Sequence, residues 1–249
     1  LAVDADGNRV VVWSAAPAGE SSRVFAQRYR AGGEVEGPVI AVSPAGAAAR
    51  FADVAMEPDG DFVVAWSGWD TTSGGYEIYA RRFDAAGSVA GDAVQVNTLT
   101  VGSQSFPAVA VDADGDTVVV YSSDEADGSG SGIVAQRFDA LLVPVAEEIV
   151  VNTYSAGTQR DPAVAMHADG SFVVTWTSPG QDGSGSGIFA QRFDAMGTRV
   201  GGTDEQQQIT FEGTPTGGSF ALRVGGDTTG PITYTSALNG ALLAAGIEA

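Results

Sequence analysis

Apolar residues fall in short runs separated by polar, glycine-rich segments along most of the chain. Three of these runs are almost continuous, namely FVVAW at 62–66, TVVVY at 117–121 and FVVTW at 172–176. Runs of this length that are rich in β-branched residues predict strands covered on both faces. Shorter alternating runs precede them, as in AVAV at 108–111. Because these segments have no helical periodicity, the pattern predicts an all-β fold.

Each short run is joined to the following long run by a turn that contains an Asp-Gly pair. The turns read DADGN at 4–8, EPDGD at 57–61, DADGD at 112–116 and HADGS at 167–171. Their glycines are 53, 55 and 55 residues apart, an aromatic residue follows each glycine by six positions, and an AQR or ARR motif recurs in the same phase. The chain is therefore a fourfold repeat with units at 1–52, 53–107, 108–162 and 163–205.

Each unit contains four candidate strands, and its Asp-Gly turn predicts a hairpin because glycine adopts the positive φ that a tight turn requires. Four-stranded antiparallel units at this spacing predict the blades of a β-propeller-like array over residues 1–205. One blade cannot cover both of its own faces, so we expect the aromatic residue that ends each long run to pack between blades. The fourth unit has Asp204, Gln206 and Gln208 where the second unit has apolar or small residues. This loss favours an incomplete propeller over a closed four-blade ring.

The remaining segment, 206–249, does not follow the repeat. It has β-like stretches at 209–212, 219–225 and 231–235, followed by an Ala- and Leu-rich stretch typical of a short helix. We expect a small, partial, β-rich C-terminal module.

Charge and composition limit the classes of partner. The net charge is −19, and all 12 basic residues are arginine. A field of this sign repels phosphate backbones and anionic lipids, so we expect no nucleic acid partner and no membrane insertion, and protein or glycan surfaces remain. The absence of cysteine excludes a thiol nucleophile, a thiolate zinc site and disulfides. The chain begins at Leu1 without a signal-like segment, so we expect it to be part of a longer polypeptide.

The acidic turns raise a choice between calcium sites and simple turns. Asp112, Asp114 and Asp116 place three carboxylates in five residues, and Asp59 and Asp61 place two in the second unit. Calcium takes about six to eight oxygen ligands, so these five residues are the candidate metal ligands, and calcium is the one candidate cofactor. However, only the Asp-Gly pair recurs in all four units, and the distal Glu of an EF-hand loop is absent. The turn interpretation is therefore favoured.

Catalytic motifs are absent from the sequence. The single histidine, His167, lies in a turn, and no serine has a nucleophile-elbow motif. Most carboxylates occupy repeated turn positions, whereas an active site would break the repeat with unique residues. The QRFD strands place Arg137 and Asp139 on one face, which predicts a ladder of ion pairs or a hydrogen-bond anchor to the neighbouring strand rather than a substrate site. We therefore predict no catalytic residues.

The motif PAVA-x-x-ADG-x-FVV-x-W at 162–176, followed by DGSGSGI-x-AQRFDA-x-G at 182–197, resembles long repeats of large bacterial surface and secreted proteins. The TGG-x-F-x-L-x-x-GG-x-TT-x-PI-x-Y pattern at 216–234 resembles a second module of such proteins. The resemblance implies an extracellular, propeller-like, non-catalytic repeat.

On this basis the predicted function is a non-catalytic structural or adhesion module at the cell surface, and not an enzyme. Two alternatives remain open. The first is a glycan-binding, lectin-like propeller, for which Trp69 is the one aromatic candidate outside the repeated positions. The second is a glycoside-active enzyme, which would need a pair of carboxylates.

Overall fold

The computed structural model describes residues 1–183 and 185–201, together with the backbone of four two-residue strands between 219 and 233. The first blade contains β1 (Ala2–Val3), β2 (Arg9–Ala15), β3 (Arg23–Tyr29) and β4 (Val35–Ala41). The second contains β5 (Arg50–Met56), β6 (Phe62–Asp70), β7 (Gly75–Phe83) and β8 (Val94–Gln95). The third contains β9 (Gln104–Val111), β10 (Thr117–Asp124), β11 (Ser131–Phe138) and β12 (Ile149–Val150). The fourth contains β13 (Arg160–Met166), β14 (Phe172–Pro179), β15 (Ser186–Phe193) and β16 (Arg199–Val200).

Each blade is an antiparallel sheet whose strand order follows the chain, and the described residues contain no helix. The predicted all-β array of four-stranded blades is therefore confirmed. The short C-terminal helix that the sequence predicts lies outside the described residues, as does the β-like stretch at 209–212.

The C-terminal segment forms two antiparallel ribbons of two strands each. Strand β17 (Ser219–Phe220) pairs with β20 (Ile232–Thr233), and β18 (Arg223–Val224) pairs with β19 (Asp227–Thr228). These strands fall within or beside the β-like stretches that the sequence predicts for 219–225 and 231–235.

The first strands of consecutive blades lie side by side: β5 is next to β9, and β9 is next to β13. They are therefore the inner strands of the array, and all of them begin at the same end. We call this end the entry end; it carries the loops between second and third strands and the connections between blades. The opposite end carries the acidic turns, and we call it the turn end.

The core consists of the interfaces between blades. Along β6, Phe62, Val64 and Trp66 pack against the first blade, whereas Val63 and Ala65 pack against the third. All five are essentially inaccessible to solvent. This alternation explains the continuous apolar run, because each second strand is a middle strand with both faces covered. Burying one such side chain stabilises the fold by about 1.5–3 kcal/mol.

The aromatic residue that ends the apolar run of each second strand is buried at the interfaces between described blades. Trp66, Tyr121 and Trp176 are 1%, 1% and 3% exposed, whereas Trp13 of the first blade is 36% exposed. The apolar clusters join blades one and two, two and three, and three and four. No cluster of the described residues joins blade four to blade one.

The repeated Arg and Asp of the third strands do not pair with each other in the third blade, where the arginine instead forms the predicted hydrogen-bond anchor. Arg137 donates a hydrogen bond to the carbonyl of Ala195 in the next blade. Asp139 Oδ1 instead accepts hydrogen bonds from the amides of Leu141 and Val143, each at 2.9 Å, and so holds its own turn.

Among the residues that the structure describes, no helix has the length and apolar character needed to cross a membrane.

The burial of the second strands predicts the effect of a charge there. The test position is Val119, which is fully buried between the second and third blades. Val119→Asp should lower the free energy of unfolding by several kcal/mol, because the buried carboxylate would have no partner. Urea denaturation measures this loss. The control is Val143→Asp at a residue 53% exposed on a turn, which should change stability by less than about 0.5 kcal/mol. Equal effects of the two substitutions would contradict the assigned interface.

Candidate functional site

The inner strands are irregular where they begin at the entry end. The pairing register shifts between Arg50 and Asp53 in the second blade, and corresponding shifts occur in the third and fourth. At the equivalent position of each bulge the backbone has a positive φ, at Phe51 (52°), Phe106 (56°) and Asp161 (54°). This conformation costs a non-glycine residue roughly 1–2 kcal/mol. Bulges and strained residues of this kind concentrate at functional sites, where they re-aim side chains.

The bulges of the second and third blades bring aromatic rings together at the surface. Phe51 and Phe106 have ring centroids 4.3 Å apart, and each residue is 40% exposed. The Arg50 guanidinium carbon lies 4.8 Å from the centroid of Phe51 and 3.6 Å from that of Tyr76. Tyr76 in turn makes an edge-to-face contact at 5.2 Å with Trp69, which is 43% exposed. We call these five residues the aromatic platform.

The fourth blade has a different side chain at the bulge. Asp161 occupies the position of Phe51 and Phe106, and its carboxylate accepts a hydrogen bond from Arg160 at 2.9 Å. Both partners of this ion pair are about half exposed. The entry end therefore carries the aromatic platform and also, on the inner strand of the fourth blade, a carboxylate.

A second unusual carboxylate, that of Asp53, lies on β5 two residues after Phe51. Asp53 stands where the third and fourth blades have Ala108 and Ala163. Its Oδ2 accepts a hydrogen bond at 2.9 Å from the amide of Val109 on β9, the edge strand of its sheet. Burial raises the pKa of Asp53 above its ordinary value of 3.8, although the hydrogen bonds from Val109 and Val54 oppose that rise. Burial thus favours the protonated acid at Asp53 relative to an exposed aspartate.

Sequence reasoning identified Trp69 and missed Arg50, Phe51, Asp53, Phe106 and Asp161. The signal that could have found the two carboxylates is their departure from the repeat: aligned with the other blades, Asp53 replaces alanine and Asp161 replaces phenylalanine. The stacking of Arg50 and the positive φ of the bulge residues have no sequence signature.

The predicted metal ligands lie at the turn end. Asp59 and Asp61 share the turn of the second blade, and Asp112, Asp114 and Asp116 share the turn of the third. In the third blade, Asp112 Oδ1 accepts hydrogen bonds from the amides of Asp114 and Asp116, each at 3.0 Å. In the second blade, Asp59 Oδ1 accepts one from the amide of Asp61 at 3.2 Å. These contacts close the turns around glycines with positive φ, as the turn interpretation requires.

The second turn also contains Glu57, which the sequence analysis did not select. Oxygen atoms of Glu57, Asp59 and Asp61 lie within 4.8 Å of one another. However, the Arg82 guanidinium is 2.5 Å from Glu57 and 3.3 Å from Asp61, so a cationic side chain already offsets part of the negative charge of this cluster. Calcium binding at Asp59, Asp61, Asp112, Asp114 and Asp116 stays a prediction.

A cavity of about 170 Å³ lies at the turn end, between the third and fourth blades. It is lined by turn carboxylates, including Asp112 and Asp169, and by Arg137. Cavities that hold organic ligands usually measure about 300–1,000 Å³ and have largely apolar linings. The platform at the entry end therefore offers the better surface for an organic ligand.

Comparisons with known proteins connect this fold to carbohydrate enzymes. No protein-family model and no curated protein matches the chain. Among solved structures, a GH93 α-L-arabinofuranosidase of Fusarium graminearum in complex with arabinobiose is similar over 94% of this chain and 73% of its own, with a TM-score of 0.58 and 14% identity. An α-L-arabinofuranosidase from Lactobacillus brevis is similar over 78% of this chain and 72% of its own, with a TM-score of 0.50 and 13% identity. A Dyadobacter fermentans protein of unknown function is similar over 90% of this chain and 71% of its own, with a TM-score of 0.57 and 15% identity.

These comparisons correct two predictions from the sequence. The predicted non-catalytic structural or adhesion module is wrong, and so is the prediction that the chain is not an enzyme, because the similar structures that carry a named activity are glycoside hydrolases. The prediction rested on the observation that most carboxylates occupy repeated turn positions. Asp53 and Asp161 do not, and both lie on inner strands.

Proposed function

We propose that this chain binds a glycan at its entry end and acts on that glycan as a glycoside hydrolase. The observation that carries the proposal is the exposed pair formed by Phe51 and Phe106, held by strained bulges at the start of two adjacent inner strands. Exposed apolar side chains clustered in this way mark ligand-binding surfaces. The C–H face of a sugar ring packs on an aromatic face, while its hydroxyl groups remain free for polar partners.

The rest of the platform extends the surface beyond the two phenylalanine rings. Arg50 stacks on Tyr76, and Tyr76 in turn contacts Trp69. A row of rings longer than one sugar suits an oligosaccharide better than a monosaccharide. The similar structures support this ligand class, because one of them was solved with a bound disaccharide. An extracellular location, where polysaccharides are encountered, is part of the proposal.

Cleavage of a glycosidic bond requires two carboxyl groups in different protonation states, one of which donates a proton to the leaving group. Asp53 suits the donor because burial raises its pKa. Asp161 suits the second role because it is exposed and paired with Arg160. Both belong to inner strands, with β9 between them. This is the arrangement on which the catalytic part of the proposal rests.

Glycan binding is tested by removing the two rings. The Phe51→Ala, Phe106→Ala double variant should bind oligosaccharides at least about tenfold more weakly, because the stacking surface is lost. Isothermal titration calorimetry against a panel of plant and bacterial oligosaccharides measures the affinity. Leu141→Ala, at a residue 80% exposed at the turn end, is the control and should bind as the parent does. Equal affinities for the double variant and the parent, or no binding by the parent to any glycan, would contradict the proposal.

Hydrolysis is tested on the two carboxylates by measuring the release of reducing ends. Asp53→Asn and Asp161→Asn should each lower the rate about 10²-fold or more, whereas Asp92→Asn, at an exposed residue of the same blade as Asp53, should not. The donor must be protonated, so activity should fall as pH rises through the folded-state pKa of Asp53, which lies above 3.8. Unchanged rates in both variants, or a rate that rises through that range, would refute the assigned roles.

Asp53→Asn also has a readout independent of activity. The folded protein holds the Asp53 proton to higher pH than the unfolded chain does, so ionisation of Asp53 lowers stability as pH rises from about 3.8 through its folded pKa. The asparagine variant lacks this loss and should be the more stable protein at neutral pH. This separates an effect on catalysis from a loss of folding.

A further inference from the structure

Arg50 is the one basic side chain of the aromatic platform, and no carboxylate in the described part of the chain pairs with it. Among the described residues it makes no hydrogen bond and no ion pair, and its Nε is buried without a partner. The chain has 31 acidic residues against 12 basic ones, so a partly buried arginine could easily have been paired with a carboxylate. An arginine held at a ligand surface without a partner is available to bind an anion.

The repeat allows Arg50 to be compared with the residues at the equivalent positions of the other blades. The equivalent positions are Ser105 in the third blade and Arg160 in the fourth. Arg160 is neutralised by Asp161 at 2.9 Å, whereas the residue that follows Arg50 is Phe51. At the start of the inner strands, two blades therefore carry an arginine, and of these two only Arg50 has no carboxylate partner within the described part of the chain.

The stacking of Arg50 fixes how it can bind. Its guanidinium carbon lies 3.6 Å from the ring centroid of Tyr76, a distance at which the planar group rests on the ring. The ring occupies a face of the guanidinium, and the N–H groups point outward in its plane. Only Nε is fully buried, so the two terminal nitrogens reach the surface. This geometry leaves a fork of donors for a carboxylate, which can accept two parallel hydrogen bonds.

We infer that the glycan taken by the entry end carries a carboxylate sugar, a hexuronic acid or a related acidic residue, and that Arg50 binds its carboxylate beside Phe51 and Phe106. This inference rests on the proposed function and names its ligand class. The ligand is a mostly neutral oligosaccharide with a single acidic sugar, because a net charge of −19 disfavours a polyanion. Arg50 is a binding residue that sets specificity, and the catalytic roles stay with the two aspartates.

The experiment compares oligosaccharides that each carry one hexuronic acid with the same oligosaccharides after reduction of the carboxyl group to an alcohol. The parent protein should bind the acidic form at least about tenfold more tightly, because a charged bidentate pair forms only with the carboxylate. Arg50→Gln should abolish this preference, so that the acidic and the reduced forms bind with equal affinity, because the fork of donors is lost. Arg30→Gln, at an exposed arginine of the turn end that pairs with Glu36, is the control and should keep the preference. Isothermal titration calorimetry gives both affinities.

Two further measurements keep the inference falsifiable if Arg50→Gln does not fold. Arg50→Lys keeps the charge without the planar fork and should retain only part of the preference. In the parent protein the preference should also shrink as sodium chloride is raised, because salt screens the pair. Equal binding of acidic and reduced forms by the parent, or a preference that survives Arg50→Gln, would overturn the inference and leave the glycan site intact. Failure to bind either form would overturn the proposed function itself.

Discussion

The structure depends on one constraint, which is that each blade is apolar on both faces. A sheet of this kind has no stable form alone, since its middle strand must be covered twice. Val63 and Val64 are neighbours in sequence, yet they stabilise different interfaces on opposite sides of the second blade. The repeat, the tight turns and the order of strands follow from this requirement, because every unit has to present the same two faces to its neighbours.

The same constraint explains where function can be placed. Residues at the interfaces are fixed by packing, and the acidic turns at the turn end are fixed by their own hydrogen bonds, as Asp112 shows. The beginnings of the inner strands are free of both demands, because they lie at the edge of each sheet and at the surface. At these positions the blades differ in their side chains. The bulges give Phe51, Phe106 and Asp161 a positive φ, which packing alone would not favour. The strain is offset by the stability of the interfaces beneath.

Much of the fold could be predicted from the sequence, and the site could not. The continuous runs such as TVVVY and the Asp-Gly turns leave a signal in neighbouring residues of the sequence, because burial on two faces requires an unbroken apolar run and a tight turn requires glycine with a positive φ. The platform depends on contacts between blades: Phe51 and Phe106 are 55 residues apart and meet only after stacking. Asp53 has a raised pKa only because the folded chain buries it. The repeated motifs do not contain the candidate catalytic carboxylates, because Asp53 and Asp161 are residues that depart from the repeat.

The most direct test of the account is a crystal structure of the protein with a bound oligosaccharide. The account predicts that a sugar ring lies against Phe51 and Phe106 at the entry end, with Asp53 and Asp161 on the side of the glycosidic bond. A saccharide bound instead in the cavity between the acidic turns of the third and fourth blades, or along the outer strands, would contradict it.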